Sequence, residues 1–326
     1  MSQPSTTEQL TLGIDIGGTK VAAGLVDAAG NILFQTRVPM VATGDAATGF
    51  GAVVNAINAV FSARPEARTA LAGIGVCSPG PLDPRTGIVI NPPNLPCWRN
   101  FPLAGELQKV FGVPARVDND ANAAGLAEAI WGAGVGYRDV FYATLGTGIG
   151  TGIIFDKKIY HGRTGSAAEG GHVTIDYHGP KCGCGKNGCI EILCAGPSIA
   201  RRARARLSEP GQNGSSMLRL AGGKIEDVQA ETVGEAFRQG DPLAREVLQE
   251  TADLLAIWLG NIIDLLEPEV IIFGGGVSLL MSAFFENIRE QLPRWCINPR
   301  PKEIPIVLAK YGSDAGVAGA AALCRM

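Results

Sequence analysis

Between Leu10 and Phe34 the chain reads LTLGIDIGGTKVAAGLVDAAGNILF, three short apolar runs separated by a Gly/Thr turn and an Asp/Gly turn. That pattern predicts a three-stranded β-meander. Val140 to Tyr160, VFYATLGTGIGTGIIFDKKIY, repeats the plan. After the first meander the pattern predicts a helix over Ala47–Ala63, a buried strand over Leu71–Cys77, a Pro/Gly loop, and a strand Ala115–Asp118 entering a helix near Ala121–Trp131. After the second come helices around Pro197–Arg206 and Pro242–Leu266 and a loop with a short helix within Ser208–Asp227. A buried strand Val270–Phe273, a glycine turn, and a strand Ile304–Ala309 entering a terminal helix Ala315–Cys324 follow. The order βββαβαβα, written twice, predicts an internally duplicated α/β protein of two mixed-sheet domains facing each other across a cleft. With the terminal helix returning to the first domain, the expected boundaries are 1–118 plus 310–326, and 119–309.

Length changes this picture little, since 326 residues suit two domains with ample core. Charge narrows the partners: a net charge of −3 argues against a general nucleic-acid surface. The long apolar stretch Leu254–Leu266 is broken by Asn261 and Asp264, so no membrane span is expected. Met1 to Gln9 is polar, without the apolar core of a leader, which predicts a cytoplasmic protein with reduced thiols. Arg201, Arg202, Arg204 and Arg206 then read as a solvated helix face, and Cys77, Cys97, Cys194, Cys296 and Cys324 as small apolar residues.

The richest chemistry lies between Glu169 and Glu191. His172, Cys182, Cys184 and Cys189 sit in a glycine-rich stretch ending CGCGKNGCIE. Three thiolates and an imidazole complete a tetrahedral Zn2+ set, and a closed set is structural. The turn Asp15-Ile-Gly17-Gly18-Thr19-Lys20 has the make-up of a phosphate-binding hairpin, with Asp15 able to hold Mg2+ directly or through water. It is not a Walker A loop, because it joins two strands. Gly146, Thr147 and Gly148 echo it in LGTGIG, and two such turns can embrace one polyphosphate. Gly274, Gly275 and Gly276, between a strand and a helix, would let backbone approach a base or ribose. Asp118, Asn119, Asp120 and Asn122 end a strand and start a helix; one would serve as cap, and Asp120 could accept a proton from a substrate hydroxyl. Glu169, His172 and Glu191 flank the cage as polar contacts for a polyhydroxylated ligand. Asn91 or Asn94, in a Pro-rich loop, could hydrogen-bond a sugar, with a plain turn the equal alternative.

Taken together, DIGGTK at 15–20, GIGVCSPGPLDP at 73–84, LGTGIG at 145–150, EGGH at 169–172, CGCGKNGCIE at 182–191 and FGGGVS at 273–278 resemble the ROK family of the actin/hexokinase/Hsp70 superfamily, over essentially the whole chain. The resemblance implies two actin-like ATPase (ribonuclease H-like) domains and ATP-dependent phosphorylation of a hexose. It implies Asp120 as catalytic base, with Asn119, Glu169, His172, Glu191 and Asn94 on the sugar. ATP phosphates would lie between the two Gly/Thr turns and the nucleoside near Gly274–Gly276. The partners implied are a hexose, ATP and a second copy of the chain, without nucleic acid or membrane. Gly170 in the middle of Glu-x-Gly-His implies a more pliable loop. Family members are kinases or repressors with a helix-turn-helix ahead of the first turn; 14 residues before Asp15 favour the kinase. The PPNLPCWRNFPL and GPSIARRA segments are most similar to bacterial glucokinases; fructokinases, N-acetylhexosamine kinases and a silent sugar sensor remain the alternatives.

Overall fold

The computed structural model describes residues 9–211 and 214–326. The polar start of the chain, residues 1–8, and residues 212 and 213 of the 208–227 stretch lie outside the described residues. The first half runs β1 (Leu10–Ile16), β2 (Lys20–Val26), β3 (Ile32–Pro39), α1 (Ala46–Ala63), α2 (Ala67–Ala70) and β4 (Leu71–Ser78). A small hairpin, β5 (Leu82–Asp83) and β6 (Ile88–Val89), precedes α3 (Leu103–Phe111), β7 (Ala115–Asn119) and α4 (Asp120–Trp131). The second half runs β8 (Asp139–Leu145), β9 (Ile149–Phe155), β10 (Lys158–Ile159), α5 (Ile190–Cys194), α6 (Gly196–Leu207), α7 (Ser216–Leu220), α8 (Ala230–Arg238) and α9 (Pro242–Leu266). It ends β11 (Val270–Gly274), α10 (Gly276–Met281), α11 (Phe285–Gln291), β12 (Ile306–Leu308) and α12 (Ala315–Ala322).

Two five-stranded sheets result, ordered β3-β2-β1-β4-β7 and β10-β9-β8-β11-β12. In the first, β1 to β3 form the expected antiparallel meander, and β4 and β7 add in parallel to β1. The described residues group into two compact units. One holds the chain up to Tyr142 with Gly152–Ala168 and Lys310–Met326; the other holds Ala143–Thr151 and Glu169–Ala309. The boundary read at residue 118 is thereby displaced, because α4 packs against α12 and belongs to the first unit. A Cβ on Gly319 of α12 would come within 2.5 Å of the Ala123 carbonyl carbon.

Local chemistry explains why the helices start where they do. Asp45 caps α1 by accepting from Thr48 N at 2.8 Å, and Asp241 caps α9 by accepting from Ala244 N at 3.0 Å ahead of Pro242. Helix α1 is the one described helix long and apolar enough, by length and composition, to cross a membrane. Here Val53, Ile57 and Val60 on its buried stripe join the core of the first sheet.

Packing of α12 shows what its run of small residues is for. Its backbone lies so close to the first sheet that a Cβ on Gly75 would fall 1.7 Å from Ala320 O, and one on Gly13 2.0 Å from Val317 O. The buried Glu128 of α4 fastens the segment leading into α12, accepting from Tyr311 N at 3.0 Å and from Ala133 N at 2.8 Å. Gly75→Ala is therefore expected to lower unfolding stability by about 3 kcal/mol through overpacking against backbone. A urea unfolding midpoint unchanged from wild type would contradict this contact.

Candidate active site

In the first unit, strand register sets the geometry. Asp15 on β1 pairs with Cys77 on β4, and Cys77 pairs with Asp118 on β7, so three adjacent strands present one polar row at their carboxyl ends. Cys77 Sγ lies 3.4 Å from Asp15 Oδ1 and 3.3 Å from Gly316 O. Burial raises the Asp15 carboxyl above its usual value, against the lowering pull of Cys77, Lys20 and Arg37. Burial likewise pushes the Cys77 thiol far up, helped by the charges of Asp15 and Asp120. A half-desolvated carboxylate of this kind gains from a bound cation, so Asp15 fits the Mg2+ role.

Beyond β1 the chain turns tightly, with Gly17 N donating to Lys20 O at 2.9 Å. Gly18 meets the Pro-rich loop: a Cβ there would lie 3.0 Å from Asn94 O. The turn and Asn94 are thus neighbours, with Thr19, Lys20 and Asn94 exposed. Beyond β7, Asn119 is the helix cap, its Oδ1 accepting from Ala121 N at 2.9 Å. Asp120, the first residue of α4, is exposed, and its Oδ1 also accepts from Ala121 N, at 2.8 Å.

In the second unit, Gly146 N donates to Gly148 O at 2.9 Å, and Gly146 O accepts from Gly196 N at 2.8 Å. Thr147 at the tip is exposed. Glu191 has a task the sequence reading missed: its Oε2 accepts from Ile149 N at 2.9 Å, tying the turn to the cysteine-rich loop. A Cβ on Gly148 would lie 2.7 Å from that oxygen, so a side chain there would push the Glu191 carboxylate aside. The other Glu191 oxygen lies 3.8 Å from His172 Nδ1. Glu169 is exposed at the start of the Gly170–His172 turn. Gly170, in the loop read as pliable, is hydrogen-bonded through both its N–H and its carbonyl. Its N–H donates to Thr151 Oγ1 at 2.8 Å and its carbonyl accepts from Trp258 Nε1 at 3.1 Å.

The donor atoms of His172, Cys182, Cys184 and Cys189 all lie within 4.8 Å of one another. Cys182 Sγ is 3.8 Å from His172 Nδ1 and Cys184 Sγ is 3.6 Å from Cys189 Sγ. Tetrahedral zinc with bonds of 2.0–2.3 Å separates its ligand atoms by about 3.3–3.8 Å, so the set fits the ion. Burial, aided by the Cys184 and Cys182 thiols, pushes Cys189 up to about 12, whereas the Lys186 backbone N–H lowers Cys184. A dication reverses the cost of ionising such a cluster.

Gly275, at φ +86°, packs on the strand before the second turn, where a Cβ would strike Leu145 O at 2.3 Å. Beside it lies a cavity of about 610 Å³ whose walls include Thr147, Gln229, Glu231, Arg238, Gly276 and Leu280. Glu231 and Arg238 belong to α8, a helix without a recognisable motif, which is why sequence reasoning passed over them.

The sequence profile of the ROK family matches residues 11–326. This chain belongs to the ROK family. A glucokinase from Streptomyces coelicolor is 36% identical over 318 residues, covering 97% of this chain and 98% of that protein. An N-acetylmannosamine kinase from Salmonella typhi is 32% identical over 317 residues, covering 97% and 98%. Among solved structures, a ROK family glucokinase from Streptomyces griseus in complex with glucose and AMPPNP superposes with a TM-score of 0.79 at 36% identity, covering 97% of this chain and 99% of that one. The fold is thus that of the ROK actin-like sugar kinases, with each sheet built in the order βββαβαβα.

Proposed function

We propose that this ROK protein transfers the γ-phosphoryl group of ATP to a hexose, with glucose the preferred acceptor and glucose 6-phosphate the product. The observation that carries the reading is Asp120, an exposed carboxylate at the first position of α4, on the corner that follows the row Asp15, Cys77, Asp118. A carboxylate there suits proton removal from a hydroxyl. The hydroxyl oxygen attacks the γ-phosphorus, the bond from that phosphorus to the ADP oxygen breaks, and the hydroxyl proton passes to Asp120.

Asn94, Asn119, Glu169, His172 and Glu191 are assigned to the sugar. Asn119 keeps its side-chain nitrogen for this, because its oxygen caps the helix. Backbone N–H groups of Gly17 to Lys20 and Gly146 to Gly148, with the Thr19 and Thr147 hydroxyls and the Lys20 ammonium, suit the phosphates. The cavity beside Gly276 suits the nucleoside, Glu231 accepting from ribose hydroxyls and Leu280 covering a base face. Mg2+, held by Asp15, would when bound neutralise charge on the phosphate oxygens. Zn2+ held by His172, Cys182, Cys184 and Cys189 would give rigidity alone, since protein fills every coordination position.

Support for glucose comes from the glucokinases 36% identical over nearly the full chain. The N-acetylmannosamine kinase at 32% identity supports a second reading, with that sugar as acceptor. An ADP-release assay over glucose, fructose, mannose, N-acetylglucosamine and N-acetylmannosamine separates them. Glucose is expected to show the highest kcat/KM. Glucose binding without turnover of any sugar would replace the kinase by a sensor.

A further inference from the structure

Asp118 is 3% exposed and stands two residues before Asp120. Its Oδ1 accepts from Asn119 N at 2.7 Å and from Asn122 Nδ2 at 3.1 Å. Its Oδ2 accepts from His161 Nε2 at 2.6 Å. One carboxylate thus grips the backbone entering α4 and a side chain in the first turn of that helix. Asn122 depends on the grip: it is buried, and its Oδ1 has no hydrogen-bond partner among the described residues. His161 arrives from beyond β10, 43 residues along the chain, and its side chain is 20% exposed. Without the imidazole, Oδ2 becomes an uncompensated buried charge, relieved by rotating the carboxylate and loosening what it holds.

We propose that His161 is a positioning residue for phosphoryl transfer, holding Asp118 and, through it, the Asn119–Asp120 corner where the sugar proton is taken. This rests on the kinase reading with Asp120 as base. The Asp118–His161 pair lines a cavity of about 420 Å³ in the first unit, together with Arg85, Gln108, Arg116 and Met326. Free imidazole can enter a space of that size, so the missing side chain can be supplied from solution.

The test compares kcat at saturating glucose for wild type, His161→Ala and His161→Gln, with and without added imidazole, and for both Asp120→Asn and the double variant Asp120→Asn/His161→Ala. His161→Ala is expected to lose about 10- to 100-fold in kcat, the scale of a misplaced reacting group. His161→Gln, which keeps a donor, stays within about threefold of wild type. Imidazole restores His161→Ala saturably, and removing His161 costs nothing further in the Asp120→Asn background. Wild-type kcat in His161→Ala overturns the proposal while leaving the kinase reading intact. A loss relieved neither by imidazole nor by the Gln variant assigns His161 to folding and also overturns it. A wild type that phosphorylates no sugar removes the kinase reading and this proposal together.

Discussion

Replacing Asp120 by Asn is expected to lower kcat for glucose phosphorylation about 10³-fold while leaving glucose affinity within about threefold. The side chain is exposed, and its Oδ1 bond to Ala121 N is one an amide oxygen can also make, so the start of α4 survives the change. Asn119 continues to cap the helix. What disappears is the second carboxylate oxygen as a proton acceptor. The coupled assay gives kcat, and titration calorimetry gives the glucose dissociation constant. Turnover above a tenth of wild type would show that Asp120 is not the base.

The second large effect concerns the cage. Cys184→Ala is expected to reduce bound zinc from about one per chain to near none, and to weaken glucose binding about 10- to 100-fold. Cys184 is exposed, so its truncation leaves no core cavity and isolates the loss of the metal ligand. His172 and Glu191 carry the consequence. His172 Nδ1 lies between Cys182 Sγ and Glu191 Oε1, each at 3.8 Å, and Glu191 reaches on to Ile149 N. A slackened cage is therefore expected to disturb two side chains proposed for the sugar and the second Gly/Thr turn at once. Affinity for sugar falls before kcat at saturation. Cys296→Ser, outside the cage, is the control and keeps its zinc. Zinc content in Cys184→Ala equal to wild type, by metal analysis, would exclude this ligand set.

Much of the architecture was legible from residue pattern. Both meanders, α1, α4, α9 and β11 follow from runs whose period and punctuation are local properties. Helix α3 was missed because it has nine residues and buries only Leu103 and Leu107, too weak a stripe to stand out after the Pro-rich loop. Helix α8 was missed for want of a motif, and with it Glu231 and Arg238 on the cavity wall. The boundary at 118 moved because the affinity of α4 for α12 involves partners almost two hundred residues apart.

Within the site, composition indicated the kind of chemistry and long-range packing assigned the individual bonds. Glycine–threonine turns, a cysteine–histidine loop and a carboxylate run each announce themselves, because backbone freedom, thiol count and charge are readable residue by residue. The bond from Ile149 to Glu191 spans 42 positions, and that between His161 and Asp118 spans 43. No local rule pairs such residues. Glycines show the same division. Gly275 requires φ +86°, a demand of its own turn that a strand–glycine–helix pattern already suggests. Gly13 and Gly75 sit in ordinary strand conformation, and they exclude a side chain only because the backbone of α12 lies against them. The sequence by itself determined which turns could cradle phosphate and which loop could hold a metal. Which polar atom meets which was decided by strand register and helix packing, since a buried donor or acceptor bonds whatever the whole fold brings within reach.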